Sequence, residues 1–319
     1  MPELVLAATS DVVTQAFFSA IVSGALLAGV PLLFAALGET ISERAGVLNI
    51  GLEGIMLAGA YAGFVAAYYG GFAWLGFAAG IAAGAAVSLL MVVLCVRMGL
   101  DQIVVGIAIT LAAEGITSLL HGAYLAESQP ILGATAVVRI PLFSRIPVVG
   151  NSLFSQPLVV YLGLSLVIAV HWMFRATNVG LNLRAAGDKP GALDAAGVSV
   201  TATRAWAVVA TGALGGLGGA YLAIVSAGLF QPFMTQGRGF IAIVIAMLGR
   251  GRPFWVLAGA LLFGVSLSIS DALQIAKINI STDAVFMLPF LVVMVVLIVF
   301  GRRAFLPAAL ALPYVRGAR

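Results

Sequence analysis

Two carboxylates stand inside stretches that are otherwise suited to lipid. Glu53 follows Gly51-Leu52 at the start of an apolar run, and Glu114 sits near the middle of the apolar segment 102–124. An ionised group at that depth costs on the order of 3 kcal/mol by insertion scales, so it faces a water-filled path or a polar partner. Asn49 lies four residues before Glu53, and on a helix the two would share a face. The chemistry open to such groups is cation or proton relay, contact with a solute, or pairing that locks helices together. For Glu53, partway into its segment and among glycines, pairing leads; for Glu114 a path and a helix lock stand even. Gln231, Thr235 and Gln236 flank the short apolar segment 236–249 at its external end and are candidate solute contacts. Together Asn49, Glu53, Glu114, Gln231, Thr235 and Gln236 are the candidate lining of a path. Thr110 and Thr117 are better explained by hydrogen bonds within their own helix.

These residues need a scaffold that lives in a membrane. Of 319 residues 62% are hydrophobic and only 9% charged, against about 25% charged in soluble domains. Apolar segments fall at 14–37, 47–69, 73–96, 102–124, 157–174, 205–227, 236–249, 254–275 and 284–300. Most reach the ~20 residues that cross a bilayer, while 236–249 is short enough to be broken or re-entrant. The expectation is an all-α, polytopic transmembrane protein of about nine crossings, eight to ten, in a single domain over 1–319. The glycine cluster Gly212, Gly215, Gly216, Gly218 and Gly219 suits close helix packing better than phosphate binding. Phe17, Phe18, Trp74, Trp172, Trp206 and Trp255 read as interfacial anchors or packing residues.

Charge placement orients the chain. With the N-terminus outside, twelve of the sixteen lysines and arginines fall inside, among them Arg44, Arg97, Arg250, Arg252, Arg302, Arg303, Arg316 and Arg319. Arg139, Arg145, Arg238 and Lys277 fall outside, and an odd number of crossings puts the C-terminus in the cytoplasm. No cation precedes the first apolar run, so no cleavable signal peptide is expected. The loop 125–156, with Pro130, Pro141 and Pro147, is the one sizeable external connection. It could receive an extracellular partner or serve as a lid over helix ends. Two stretches rhyme, Gly46–Gly63 and Gly237–Gly259: each runs from a Gly-punctuated entry through Met-Leu back to small residues. Paired interrupted segments in two related halves point to a transporter's path.

Several chemistries are excluded. Cys95 is alone and His121 and His171 are far apart, so no metal centre is expected. There is no GxxxxGK[ST], HExxH or GxSxG, no nucleophile and base pair stands out, and no nucleic-acid partner is expected. If ATP drives this chain, another subunit binds it.

One hydrophilic stretch breaks the pattern, Asn178–Val200, within a loop 175–204 that carries Arg175, Arg184, Lys189 and Arg204. Asp188 can cap a helix start, Pro190 is tolerated in a first turn, and Gly197 suits a left-handed stop. Ala192 and Leu193 favour helix between them. The spacing predicts a helix over about 188–197, roughly 12 Å long, too short to span anything. Between two membrane segments it reads as a docking element for a soluble partner; the alternative is an ordinary solvated loop.

GETISERAGVLNIGLEGIMLAGAYAG from Gly38 and GLNLRAAGDKPGALDAAGVSV from Gly180 resemble the permease subunits of bacterial binding-protein-dependent ABC importers. The likeness is to the branched-chain amino acid and ribose type, and it covers nearly the whole chain. The second stretch is similar to that group's cytoplasmic loop, Arg-Ala-x-Gly-x-x-x-x-Ala-x-x-x-Gly, which docks on the ATPase. The positions here are Arg184, Ala185, Gly187, Ala192 and Gly197, with the second spacing about a residue looser. The stretch from Glu43-Arg44-Ala45-Gly46 to Leu48-Asn49 is most similar to the nucleoside and simple-sugar branch.

The resemblance implies alternating access, with Arg184, Gly187, Asp188, Pro190, Ala192, Leu193 and Gly197 coupling the chain to an ABC ATPase. ATP and Mg would sit on that partner, and this chain would hold no cofactor. It further implies a second, non-identical permease and an extracytoplasmic substrate-binding lipoprotein, in the bacterial cytoplasmic membrane. Nucleosides are favoured over sugars, and sugars over branched-chain amino acids. The rival reading is a stand-alone transporter or channel driven by protons or sodium through Glu53 and Glu114. An intramembrane enzyme is a distant third.

Overall fold

A computed structural model describes residues 2–139, 153–275, 282–300 and 306–315. In chain order the helices are α1 (Pro2–Arg44), α2 (Leu52–Gly70), α3 (Ala73–Met91, prolonged by a π-helical turn over Val92–Arg97) and α4 (Gln102–Tyr124). After two short strands come α5 (Leu158–Ala176), α6 (Asn178–Asp188), α7 (Pro190–Ala195) and α8 (Val200–Tyr221, prolonged by a π-helical turn over Leu222–Ala227). α9 (Arg238–Gly249), α10 (Pro253–Ile275) and α11 (Thr282–Phe300) follow. The strands β1 (Val137–Arg139) and β2 (Ser155–Pro157) pair antiparallel, with Val137 opposite Pro157.

Six of the described helices are long and apolar enough to cross a membrane, and α9 and the Pro289–Val299 part of α11 are shorter apolar helices. The protein is an all-α, polytopic membrane protein. α1 extends beyond the expected 14–37 at both ends, and two other boundaries differ from the hydropathy reading for local reasons. α8 starts at Val200, because the Ser199 hydroxyl accepts the Ala202 N–H at 3.2 Å and caps it. α2 starts only at Leu52, because Gly46 takes a left-handed turn (φ 86°) and the chain stays unwound after it.

α1 runs along α8 and α10, while α2 and α3 pack on each other and on α8. Small residues bring these backbones together. A Cβ on Gly216 would meet the Gly80 carbonyl and lie 2.9 Å from the Gly84 Cα. One on Gly212 would meet Ser88 and the Gly84 carbonyl. Gly80 with Gly84 and Gly212 with Gly216 are each four apart, so each pair forms one smooth stripe. This is the packing role expected of the glycine cluster.

Residues 125–139 fold over the helix ends at one face. Leu125 is buried against α2, and the Leu132 N–H donates to the Gly228 carbonyl at 2.7 Å. Trp74, Trp172, Trp206 and Trp255 are exposed on the surface of the chain, as anchors would be. Arg145, Pro141, Pro147, Lys277, Arg302, Arg303, Arg316 and Arg319 lie outside the described residues, as do the side chains of Phe17 and Phe18.

Candidate translocation and coupling site

Between α1 and α2 the chain is not helical, yet five of the seven residues 45–51 are buried. Irregular backbone at membrane depth is tolerated only where the protein satisfies it. Here side chains do so. Ser42 Oγ donates to the Val47 carbonyl at 2.9 Å, and Gln102 Oε1 accepts the Leu48 N–H at 2.8 Å. Glu39 Oε1 accepts the Asn49 N–H at 2.9 Å, and Arg204 Nε donates to the Ala45 carbonyl at 3.1 Å. Asn49 is therefore in unwound chain and not on a helix. The expected shared helical face of Asn49 and Glu53 is corrected: α2 begins only at Leu52, after an Asn49–Leu52 turn. Both polar atoms of the Asn49 side chain are buried without a hydrogen bond among the described residues.

The unwound segment ends on Glu53, which is 3% exposed. Its Oε1 accepts the Gly237 N–H at 2.8 Å and its Oε2 accepts the Gly239 N–H at 2.6 Å. Those amides open α9, so the carboxylate satisfies two donors that no helical turn could reach and meets the positive end of the helix dipole. Gly239 has no room for a side chain: a Cβ would lie 2.5 Å from the Glu53 Cα. At the other end of α9, Arg250 is left-handed (φ 52°) and its carbonyl accepts from an Arg44 guanidinium nitrogen at 2.9 Å. The same nitrogen reaches the Gly251 carbonyl at 3.4 Å, and the guanidinium lies 5.9 Å from the Phe174 ring centre. α9 has 12 residues and is about 18 Å long. One segment, Arg44–Glu53, thus holds it at both ends, cation at the negative end and anion at the positive end.

The other candidate path residues spread over two levels. Thr235 is 1% exposed and, with the exposed Gln236 (φ 48°), immediately precedes α9, near Glu53. Gln231 is exposed and lines a cavity of about 280 Å³ under residues 125–131. Glu114 is half-buried on α4, and its carboxylate makes no hydrogen bond among the described residues. Thr117 donates to the Ala113 carbonyl at 2.6 Å within its own helix, as expected. The Thr110 hydroxyl differs: it is buried with no bond among the described residues, on a residue whose backbone Gly54 approaches closely. Arg238, expected outside, is half-buried at the start of α9 and donates to the Met234 carbonyl at 2.9 Å.

The hydrophilic stretch holds two helices. Asp188 does not start the second one, correcting its role as a helix-start cap. The Lys189 N–H bonds to the Ala185 carbonyl at 2.9 Å, which keeps Asp188 in the last turn of α6, and no side chain caps α7. Pro190 takes the first helical position of α7, and Gly197 is left-handed (φ 82°) just after it. Leu193 is 4% exposed and packs on Ala186 and Val200, so it seats α7 on the body of the protein. Lys189, Gly191, Ala192, Ala195 and Ala196 face outward. Arg184 turns inward and donates to the Phe174 carbonyl at 2.6 Å, at the end of α5.

Gly187 joins this stretch to the unwound segment. A Cβ there would strike the Arg44 carbonyl and lie 3.1 Å from the Gly46 nitrogen. Residues 306–315 strap the junction: the Ala309 N–H donates to the Gly187 carbonyl at 2.8 Å and the Ala311 N–H to the Gly46 carbonyl at 3.1 Å. Arg204, 3% exposed, also bonds the Leu312 carbonyl at 2.7 Å and the Ala186 carbonyl at 3.2 Å. Sequence reasoning assigned no role at this junction to Glu39, Arg44, Gln102 or Arg204. Arg204 was read as part of the loop 175–204, and only the start of α8 at Val200 puts this cation one turn inside an apolar helix. Among the described residues no group of three or more His, Cys, Asp or Glu could hold a metal.

The described contacts fix an unwound segment, the two ends of α9 and the junction with α6 relative to one another. Over 318 residues the chain is 36% identical to the guanosine ABC transporter permease protein of Bacillus subtilis, covering 94% of this chain and 98% of that one. It is 33% identical to the nucleoside ABC transporter permease protein of Lactococcus lactis, over 93% of this chain and 96% of that one. It is 37% identical to the "Putative glucose ABC transporter permease protein" of Haloferax volcanii, over 84% and 80%. The family model described as branched-chain amino acid transport system / permease component matches residues 21–300, and the chain belongs to that permease family.

Proposed function

We propose that this chain is one of two permease subunits of an importer driven by ATP hydrolysis on a separate subunit. The solute is a small polar molecule, nucleosides in the first place, moved across a bacterial cytoplasmic membrane. On this reading the N-terminus is outside and the C-terminus and the α6–α7 face are cytoplasmic. A substrate-binding lipoprotein delivers the solute from outside, and the second permease is non-identical.

The contact of Gly187 with the Arg44–Gly46 turn carries the coupling part of this reading. A partner ATPase seated on the outward residues of α7 would move α6 and α7, and the close-packed glycines leave no slack before the Arg44–Glu53 segment. That segment holds α9 by both ends, so motion at the cytoplasmic face would reach the polar residues around Glu53. A ligand shifts such an equilibrium only through contacts that differ between two states, and α7 is where the ATPase would make them. The solute assignment rests on the names of the relatives, two of them nucleoside or guanosine permeases; glucose is the second reading because the third is named for it.

The test is co-purification of the tagged chain from native membranes, followed by uptake in proteoliposomes. Recovery of an ATPase and a second permease, with ATP-dependent uptake of guanosine, is the expected result. A homogeneous chain that transports under a proton or sodium gradient without an ATPase would overturn it.

A further inference from the structure

A cavity of about 370 Å³ lies beside the turn that joins α9 to α10, at the opposite end of α9 from Glu53. Its volume is near the lower end for ligand pockets. Ile245 of α9 and Phe263 of α10 form a buried base, and Leu248, Leu262 and Val296 line the sides. Leu262 and Ala258 are exposed, so the cavity is a trough open to the surface of the chain. One end holds different groups: Arg250 and Arg252 line it, and Trp255 stands exposed beside them at the start of α10. Arg252 is exposed and Arg250 half-buried, and neither guanidinium has a hydrogen bond or an ion pair among the described residues.

An apolar trough that ends on two unpaired cations asks for one molecule with a hydrocarbon chain and an anionic head. In a membrane protein that molecule is an anionic phospholipid, and basic pockets between membrane helices bind such head groups. An exposed Trp at the end of a span sits at head-group level, which is where the arginines also lie. The field there favours an anion: α10 begins at Pro253 with the positive end of its dipole, while the negative end of α9 is already met by Arg44. A free phosphate would use the arginines and leave the trough bare. A zwitterionic lipid would fill the trough and leave the positive charge of the arginines unbalanced.

We propose that the trough between α9, α10 and α11 binds one anionic phospholipid, with an acyl chain along Leu248, Leu262 and Val296 and the phosphate at Arg250 and Arg252. The Arg250 carbonyl takes the Arg44 bond at 2.9 Å, so the lipid would steady the same end of α9 that the Arg44–Glu53 segment holds. The inference rests on the membrane fold and not on the identity of the solute.

The test places the purified complex in phosphatidylcholine vesicles that contain phosphatidylglycerol with a photoreactive acyl chain. In the unmodified complex, labelling is expected on peptides spanning 245–263, and unlabelled phosphatidylglycerol should displace it where added phosphatidylcholine or inorganic phosphate does not. Arg252→Gln is expected to raise the phosphatidylglycerol content at half-maximal labelling about fivefold, and the double variant with Arg250→Gln about thirtyfold, the loss due to one and two cations near an anionic head group. Labelling confined to other peptides, equal labelling by a photoreactive phosphatidylcholine, or an unchanged half-maximum in the double variant would overturn the site. So would a cross-link from Leu262→Cys, carrying a benzophenone, to a second permease, since the trough would then be a subunit interface.

Discussion

Glu53 places one carboxylate oxygen on the Gly237 amide and the other on the Gly239 amide, at 2.8 and 2.6 Å, across 184 and 186 residues of sequence. A single side chain thereby fixes where a short helix begins inside the membrane domain. Substituting Glu53 with Gln turns one acceptor into a donor aimed at an N–H. The expected cost is about 2 kcal/mol, the usual range for a buried donor left unsatisfied. It would be read as a lower thermal midpoint of the purified complex, with Glu53→Ala at least as damaging. An unchanged midpoint with loss of uptake would instead place Glu53 in the path.

Gly187→Ala should disconnect coupling from the membrane core. Its new methyl group would collide with the Arg44 carbonyl, which is backbone and cannot swing away. Gly46→Ala should behave alike for a different reason, since its φ of 86° is left-handed. Both are expected to lose most uptake while the chain still inserts. Retained ATP-driven uptake in Gly187→Ala would show that the contact does not transmit motion.

The two sides of α7 should separate by mutation. Leu193→Asp puts a charge between Ala186 and Val200, and is expected to unseat α7, leaving membrane insertion intact and uncoupling uptake from ATP hydrolysis. Ala192→Glu and Ala195→Glu lie on the outward face and should leave the fold unaltered but abolish co-purification of the ATPase. If those outward variants bind the ATPase normally, the docking surface lies elsewhere.

Arg204→Lys keeps the charge and loses the fork that reaches Ala45, Ala186 and Leu312. The expected consequence is release of residues 306–315, seen as faster amide hydrogen exchange at Ala309 and Ala311. Exchange that stays as slow as in the wild type would mean that the strap holds without the arginine.

Glu114→Gln tests the last of the carboxylates. Its side chain makes no hydrogen bond among the described residues, so helix locking has no identified partner there. A change in uptake at undiminished complex yield is the expected result, and a fall in yield would restore the locking role.

What the sequence determined by itself is the content that depends on local composition. Hydropathy and charge specify an all-α membrane chain, because length and apolarity decide what can cross a bilayer and nearby residues decide where a helix starts. Gly197, Pro190 and the small-residue stripe of α8 were legible for the same reason, since each acts through its own backbone or its own face. Tertiary structure alone decided what Glu53, Arg44, Gly187 and Arg204 do. Each meets backbone groups that come from elsewhere in the chain. The partner of Glu53 is a helix end 184 residues away, and no spacing in the sequence encodes that distance. Asn49 shows the limit most clearly: its spacing from Glu53 suits a helix, but Gly46, Glu39 and Gln102 hold that stretch unwound.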